Sequence, residues 1–247
     1  MKFLTKMVWR LEEHFEIIEP RVLGHGTYGP VLRARDLHTS QFVALRVYDA
    51  DESFHSQRLQ GCASIEQARE QTLAHFSRQV SAMHSVHRGQ TATGALSETW
   101  LDALPSSARE SCSKVVAALL GYSCDSDGIP ARATDGCCYI VTEVGMFSLE
   151  QLIRDSQEQL SRGRQPSVPE VRETMRSLFS LLASLHTGGC VLASHAPRKL
   201  MRFPLGWKLS CASPLHSVGH RVEGASAALI AMYQPPELSA GVLHGTR

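Results

Sequence analysis

Residues 22–36 read VLGHGTYGPVLRARD, and Gly24, Gly26 and Gly29 fall between two runs in which apolar and polar residues alternate. Glycines so close together permit backbone conformations and close approaches that other residues resist, so the stretch predicts a sharp chain reversal. The element after the reversal decides its kind. A Gly-x-Gly-x-x-Gly turn that grips a dinucleotide opens a helix. Here the chain runs on into PVLRARD and, past the turn residues LHTS, into QFVALRVYD. Together with EIIEPRVLG ahead of the glycines, residues 16–48 predict three strands of an antiparallel meander.

The period then changes. SIEQAREQTLAHFSRQVSAMHSV (64–86) puts Leu73, Phe76, Val80 and Met83 on one helical face, with Ser64 and Gln67 spaced as a capping box. Residues 88–113, rich in Ser, Thr, Ala and Gly, predict a surface insertion with a short helix around 100–104. KVVAALLGYS and CCYIVTEV predict two more strands, which makes five strands and one long helix in the first 145 residues. Two helices come next, SLEQLIRDSQEQL and SVPEVRETMRSLFSLLASLH. Each opens on a capping-box pair, Ser148 with Gln151 and Ser167 with Glu170, and Gly188 and Gly189 stop the second. Val171, Met175, Leu178, Leu182 and Leu185 form an apolar stripe along that second helix.

A net charge of +1 over 247 residues gives no bulk electrostatic reason to bind nucleic acid or an acidic membrane surface. No 18-residue apolar stretch is present to span a bilayer. MKFLTKMVWRLEEHFE lacks the apolar centre of a secretory signal, so the expected location is cytoplasmic, or a secretory organelle if the N-terminus is incomplete. Seven cysteines without C-x-x-C spacing are read as reduced, buried or half-buried thiols. Cys211, His216 and His220, and separately His84 and His87, have spacings that can assist a metal, but no fourth ligand is evident.

The order of strand, glycine turn, strand and VALR (43–46) resembles the N-lobe of protein kinases. YIVTEVGMFSLEQLI resembles the last N-lobe strand, hinge and following helix, LASLHTGGCV the helix before the catalytic loop, and YQPPEL (233–238) the end of the activation segment. The resemblance covers roughly residues 15–240. It implies an α+β, protein kinase-like bilobal fold, with a five-stranded antiparallel N-lobe sheet plus one long helix over 1–145 and a truncated helical C-lobe over 146–247. By the same resemblance, Gly24, Gly26, Gly29, Val31, Ala44, Arg46, Thr142, Glu143 and Gly145 form a nucleotide-binding set, with Thr142 as gatekeeper and 143–145 as hinge. The kinase C-lobe normally continues past its P-P-E motif, so the stripe on 171–185 is expected to lack its usual cover and the chain to be truncated.

Phosphoryl transfer needs a lysine on the phosphates, a glutamate holding it, an aspartate near the attacking hydroxyl, and an asparagine and aspartate on magnesium. At those positions this sequence carries Arg46, Gln79, Ser194, Lys199 and Cys211. An arginine keeps the charge but not the compact ammonium, and a serine hydroxyl is a poor proton acceptor near neutral pH. Leu192 stands where the family has a histidine and is expected to fill core space. The leading expectation is therefore an inactive pseudokinase, a scaffold or allosteric module with a protein partner such as an active kinase or signalling protein. ATP is its candidate ligand, with no metal. The alternative is an active serine/threonine kinase with displaced catalytic residues, and a third reading is a defunct gene fragment. The divergent catalytic loop, the P-P-E ending and the insertion after the first helix also resemble apicomplexan rhoptry kinase-like proteins.

Overall fold

The computed structural model describes residues 9–59, 61–88, 106–165, 167–192, 196–212 and 215–217. The described chain is α+β, with an antiparallel sheet and several helices, in two compact units. Among the described residues, the first unit holds 9–84 and 118–144, and the second holds 85–88, 106–117 and the residues from 145 onward.

The first unit is built on β1 (Phe15–His25), β2 (Pro30–Asp36), β3 (Phe42–Tyr48), β4 (Leu119–Tyr122) and β5 (Cys138–Glu143), in the spatial order β1-β2-β3-β5-β4, with every pairing antiparallel. Asp36 sets the β2–β3 turn, its Oδ1 accepting from the backbone N–H groups of His38 at 2.8 Å and Thr39 at 3.0 Å. The Thr39 N–H foremost among these bonds holds the Asp36 carboxyl below its usual range. Alternation along the strands then gives each face its own core. Leu32, Ala34, Val43, Leu45, Val47, Tyr139 and Val141 make one buried layer, closed over by Trp9, Leu11, Phe15, Ile17 and Cys137. Trp9 lies 5.3 Å from the Tyr139 ring and its carbonyl accepts from Thr134 N–H, so the segment from Trp9 to Phe15 covers this face of the sheet.

Two helices belong with the other face. Helix α1 (Ala50–Leu59) is not among the elements expected from the sequence. Its start is fixed by Asp49, whose Oδ1 accepts from Asp51 N–H at 2.8 Å and Glu52 N–H at 3.2 Å. Helix α2 (Ile65–Arg88) begins as its capping box predicts: Ser64 Oγ accepts from Gln67 N–H, and Gln67 Oε1 reaches back to Ala63 N–H. Phe76, Val80 and Met83 are buried to within 1% of completely, each worth roughly 1.5–3 kcal/mol of apolar burial. A buried polar junction ties α1 to α2, with Gln57 Nε2 donating to Ser53 Oγ and Thr72 Oγ1.

The second unit contains α3 (Ser106–Val115), β6 (Phe147–Ser148), α4 (Leu149–Ser161), α5 (Val168–Thr187), β7 (Cys190–Leu192), β8 (Leu200–Phe203), β9 (Gly206–Leu209) and β10 (Leu215–Ser217). β6, β8 and β9 form one small sheet and β7 pairs with β10. The strand expected over 114–123 is shorter than its apolar run: Lys114 and Val115 end α3, where Lys114 pairs with Glu110 one turn back, and only Leu119–Tyr122 is strand. The stretch read as a surface insertion is described only from Ser106 onward, where it is helix α3 with Cys112 fully buried. The short helix expected around 100–104 lies outside the described residues.

Candidate functional site

The glycine turn closes on itself. Gly26 N–H donates to the Gly29 carbonyl at 2.7 Å, and a Cβ at Gly26 would stand 3.2 Å from that oxygen. Gly29 has φ +150° and passes so close to β3 that a Cβ would lie 2.9 Å from the Val47 carbonyl oxygen. Gly24 has nothing within 4 Å of its missing side chain. Two of the three glycines therefore have a steric reason of their own, independent of any ligand.

The tip of the turn is docked. The Tyr28 ring lies 4.5 Å from His75 on α2 and 5.8 Å from Tyr48 at the end of β3, and the Tyr28 carbonyl accepts from Asp49 N–H at 2.9 Å. Tyr48 in turn packs on Phe76 at 5.5 Å. Burial raises the Tyr28 phenol above its ordinary pKa, partly offset by Arg78. The sequence places an aromatic at the loop tip without disclosing this cluster. The recurrence of His75 and Phe76 on α2 is the available signal.

Strand register gathers most of the remaining candidates on one face. Val31 pairs with Arg46, and Arg46 with Ile140; Ala44 pairs with Thr142 in the adjacent row. Cross-strand partners project to the same side, so Val31, Ala44, Arg46, Ile140 and Thr142 share the face on which Tyr48 meets α2. Ala44 and Thr142 are buried and Arg46 is half-buried. Gln79, on α2 one turn past His75 and Phe76, is 5% exposed, and its Oε1 has no hydrogen-bond partner among the described residues. A neutral amide at that position cannot form an ion pair with Arg46.

Glu143 pairs with Val43 and so belongs to the opposite face; its Oε1 accepts from Ala118 N–H at 2.8 Å. Its carboxylate is thus engaged in fixing the entry to β4. Gly145 belongs to the second unit, where a Cβ would stand 2.8 Å from Met201 Cε and 3.2 Å from Met201 Cβ, so a larger residue there would displace the Met201 side chain on β8.

The remaining positions also lie in the second unit. Lys199 closes a 3-10 turn (Pro197–Lys199), is half-buried, and its carbonyl accepts from Ser210 N–H at 2.8 Å. Cys211 comes two residues past β9 and is 3% exposed. Leu192 is buried and, with Leu178, Leu182 and Leu200, lines an apolar cavity of about 160 Å³. Ser194 and the P-P-E residues lie outside the described residues, as does His220. His87 Nε2 lies 2.8 Å from the Ala117 carbonyl, a structural engagement of that ring.

The paired cysteines before β5 part company. Cys138 is buried opposite Tyr48, while Cys137 packs on the layer beneath Trp9. Burial foremost pushes the Cys137 thiol up to about 12, with Asp49 and Asp135 adding to it, and the Cys138 thiol up to about 11. Tyr139 is raised too, by burial and then by its hydrogen bond to Asp135. Among the described residues no three His, Cys, Asp or Glu side chains gather as a metal site, and no helix is long and apolar enough to cross a membrane. No protein-family model matches the chain, and no curated protein matches it.

Proposed function

We propose that this chain is a protein kinase-like binding module that does not transfer phosphoryl groups and acts on a protein partner, an active kinase or another signalling protein, through its surface. One observation carries the reading. In the first unit a glycine turn joins β1 to β2, and the face beneath it carries Val31, Ala44, Arg46 and Thr142 toward a long helix, with Gln79 in place of a carboxylate. That arrangement supports kinase ancestry, while the residue types argue against its chemistry. Transition-state charge in phosphoryl transfer is met by metal ions held on carboxylates and by a held lysine. Gln79, Ser194, Lys199 and Cys211 supply no carboxylate at all.

ATP is the candidate ligand of this face. Val31 and Ala44 offer the apolar surfaces for a base, and the Arg46 guanidinium offers a charged fork for phosphate oxygens without a metal. Incubation of the purified chain with γ-labelled ATP, magnesium and a basic protein substrate tests the reading. The expected result is no label on either protein above the blank. Label transfer that disappears in Arg46→Ala would contradict it and favour an active kinase with displaced residues.

A further inference from the structure

Two of the seven cysteines come together in the second unit. Cys112 lies on α3 and Cys190 opens β7, 78 residues apart in sequence, and their Sγ atoms are 2.9 Å apart. Both side chains are fully buried, and both are free thiols. Bridging two cysteines requires side chains that converge, and sulfurs this close meet that requirement. No third His, Cys, Asp or Glu joins them among the described residues, so the pair fits a covalent bridge and not a metal centre.

We propose that Cys112 and Cys190 form a disulfide when the chain meets a hydroperoxide, a modification that ties α3 to the start of β7. This inference is independent of the kinase-like reading. A hydrogen bond joins the two sulfurs and either can be its donor, so either sulfur can attack first and the other resolves. The thiolate of one cysteine attacks one peroxide oxygen, the O–O bond breaks, hydroxide leaves, and a sulfenic acid forms. The sulfur of the other cysteine then displaces the hydroxyl from the first; its proton leaves with that hydroxyl as water, and the S–S bond closes. Two thiols lose two electrons and two protons, and hydrogen peroxide is reduced to two molecules of water.

Because both sulfurs are buried, reaction waits on local opening of the α3 end and proceeds slowly. Once made, the bridge removes freedom from a long stretch of unfolded chain, so it raises the melting temperature by on the order of 5–10 °C.

The test uses the purified full chain, reduced, desalted and treated with excess hydrogen peroxide. It is then alkylated in denaturant, digested without reductant and mapped by mass spectrometry. The expected main bridged species joins the Cys112 and Cys190 peptides, two hydrogens lighter than the free pair, with a raised melting temperature that dithiothreitol reverses. Cys190→Ser should lose both the bridge and the shift while Cys112 oxidises further. Recovery of both thiols in alkylated form while half-exposed Cys124 and Cys137 oxidise overturns the proposal, as does any other bridge as the main species. Should Cys190→Ser fail to fold, the peptide map of the unmutated chain and its reversal by dithiothreitol decide.

Discussion

Helices α2 and α5 are both long and amphipathic, and they meet different fates. On α2, Phe76, Val80 and Met83 are sealed at 1% exposure or less. On α5 only Leu181 and Leu185 are buried, while Val168, Val171, Met175 and Phe179 stand 46–66% exposed. The difference separates two things that a helical stripe encodes together: which residues share a face, and what covers that face. Spacing determines the first. The second depends on other elements, and for α2 those elements are a sheet face carrying Tyr48 and the docked Tyr28.

The largest expected effect is therefore a contrast between two phenylalanines. Phe76→Ala should destabilise the first unit by about 3–5 kcal/mol, whereas Phe179→Ala should cost less than about 0.5 kcal/mol. Urea unfolding of the two variants decides, and equal losses would mean that α5 is covered in solution. Next come the glycines. Gly29→Ala should cost about 1–3 kcal/mol, because its Cβ meets the Val47 carbonyl at a positive φ, while Gly24→Ala should be close to neutral. A costly Gly24→Ala would show that the turn is constrained by something beyond the steric contacts described.

The caps give a smaller contrast. Ser148 Oγ accepts from Gln151 N–H at 3.1 Å, whereas Ser167 makes no such bond despite the same sequence pattern. Ser148→Ala should cost about 1 kcal/mol and Ser167→Ala almost nothing, read by thermal melting. The mildest effect is on pH. Folded Cys137 and Cys138 hold their protons to about 12 and about 11, against an ordinary thiol value of 9.0. The folded state then binds more protons than the unfolded one above pH 9, so stability falls as pH rises from 9 toward 12. Melting in Cys137→Ser should show a shallower decline.

Much of this architecture is legible in the residues. The alternation in FVALRVY assigns Val43, Leu45 and Val47 to one face and Ala44, Arg46 and Tyr48 to the other, which is how the sheet is built. Ser64 with Gln67 and Ser148 with Gln151 mark helix starts that form. Helix α1 escapes a reading by pattern although Asp49 and Glu52 carry a capping-box spacing, because its sequence has little apolar periodicity; it is held by the buried Gln57–Ser53–Thr72 hydrogen bonds instead. The boundary between α3 and β4 is hidden because Val115, Val116 and Ala117 are buried in helix end and bridge alike, so hydrophobicity carries no period there. For the candidate site, the shared face of Val31, Ala44, Arg46 and Thr142 follows from strand alternation and register. The docking of Tyr28 on His75 and the burial of Gln79 depend on helix placement, which no local pattern encodes.

The measurement that tests the central claim most directly is a thermal-shift titration of the purified chain with ATP, with and without magnesium. A ligand that binds only the folded state must raise the melting temperature by mass action. The account predicts a shift of the same size in both conditions, abolished by Arg46→Ala. A shift that appears only with magnesium would contradict it, because neither Lys199 nor Cys211, which the proposed kinase likeness aligns with metal ligands, is a carboxylate.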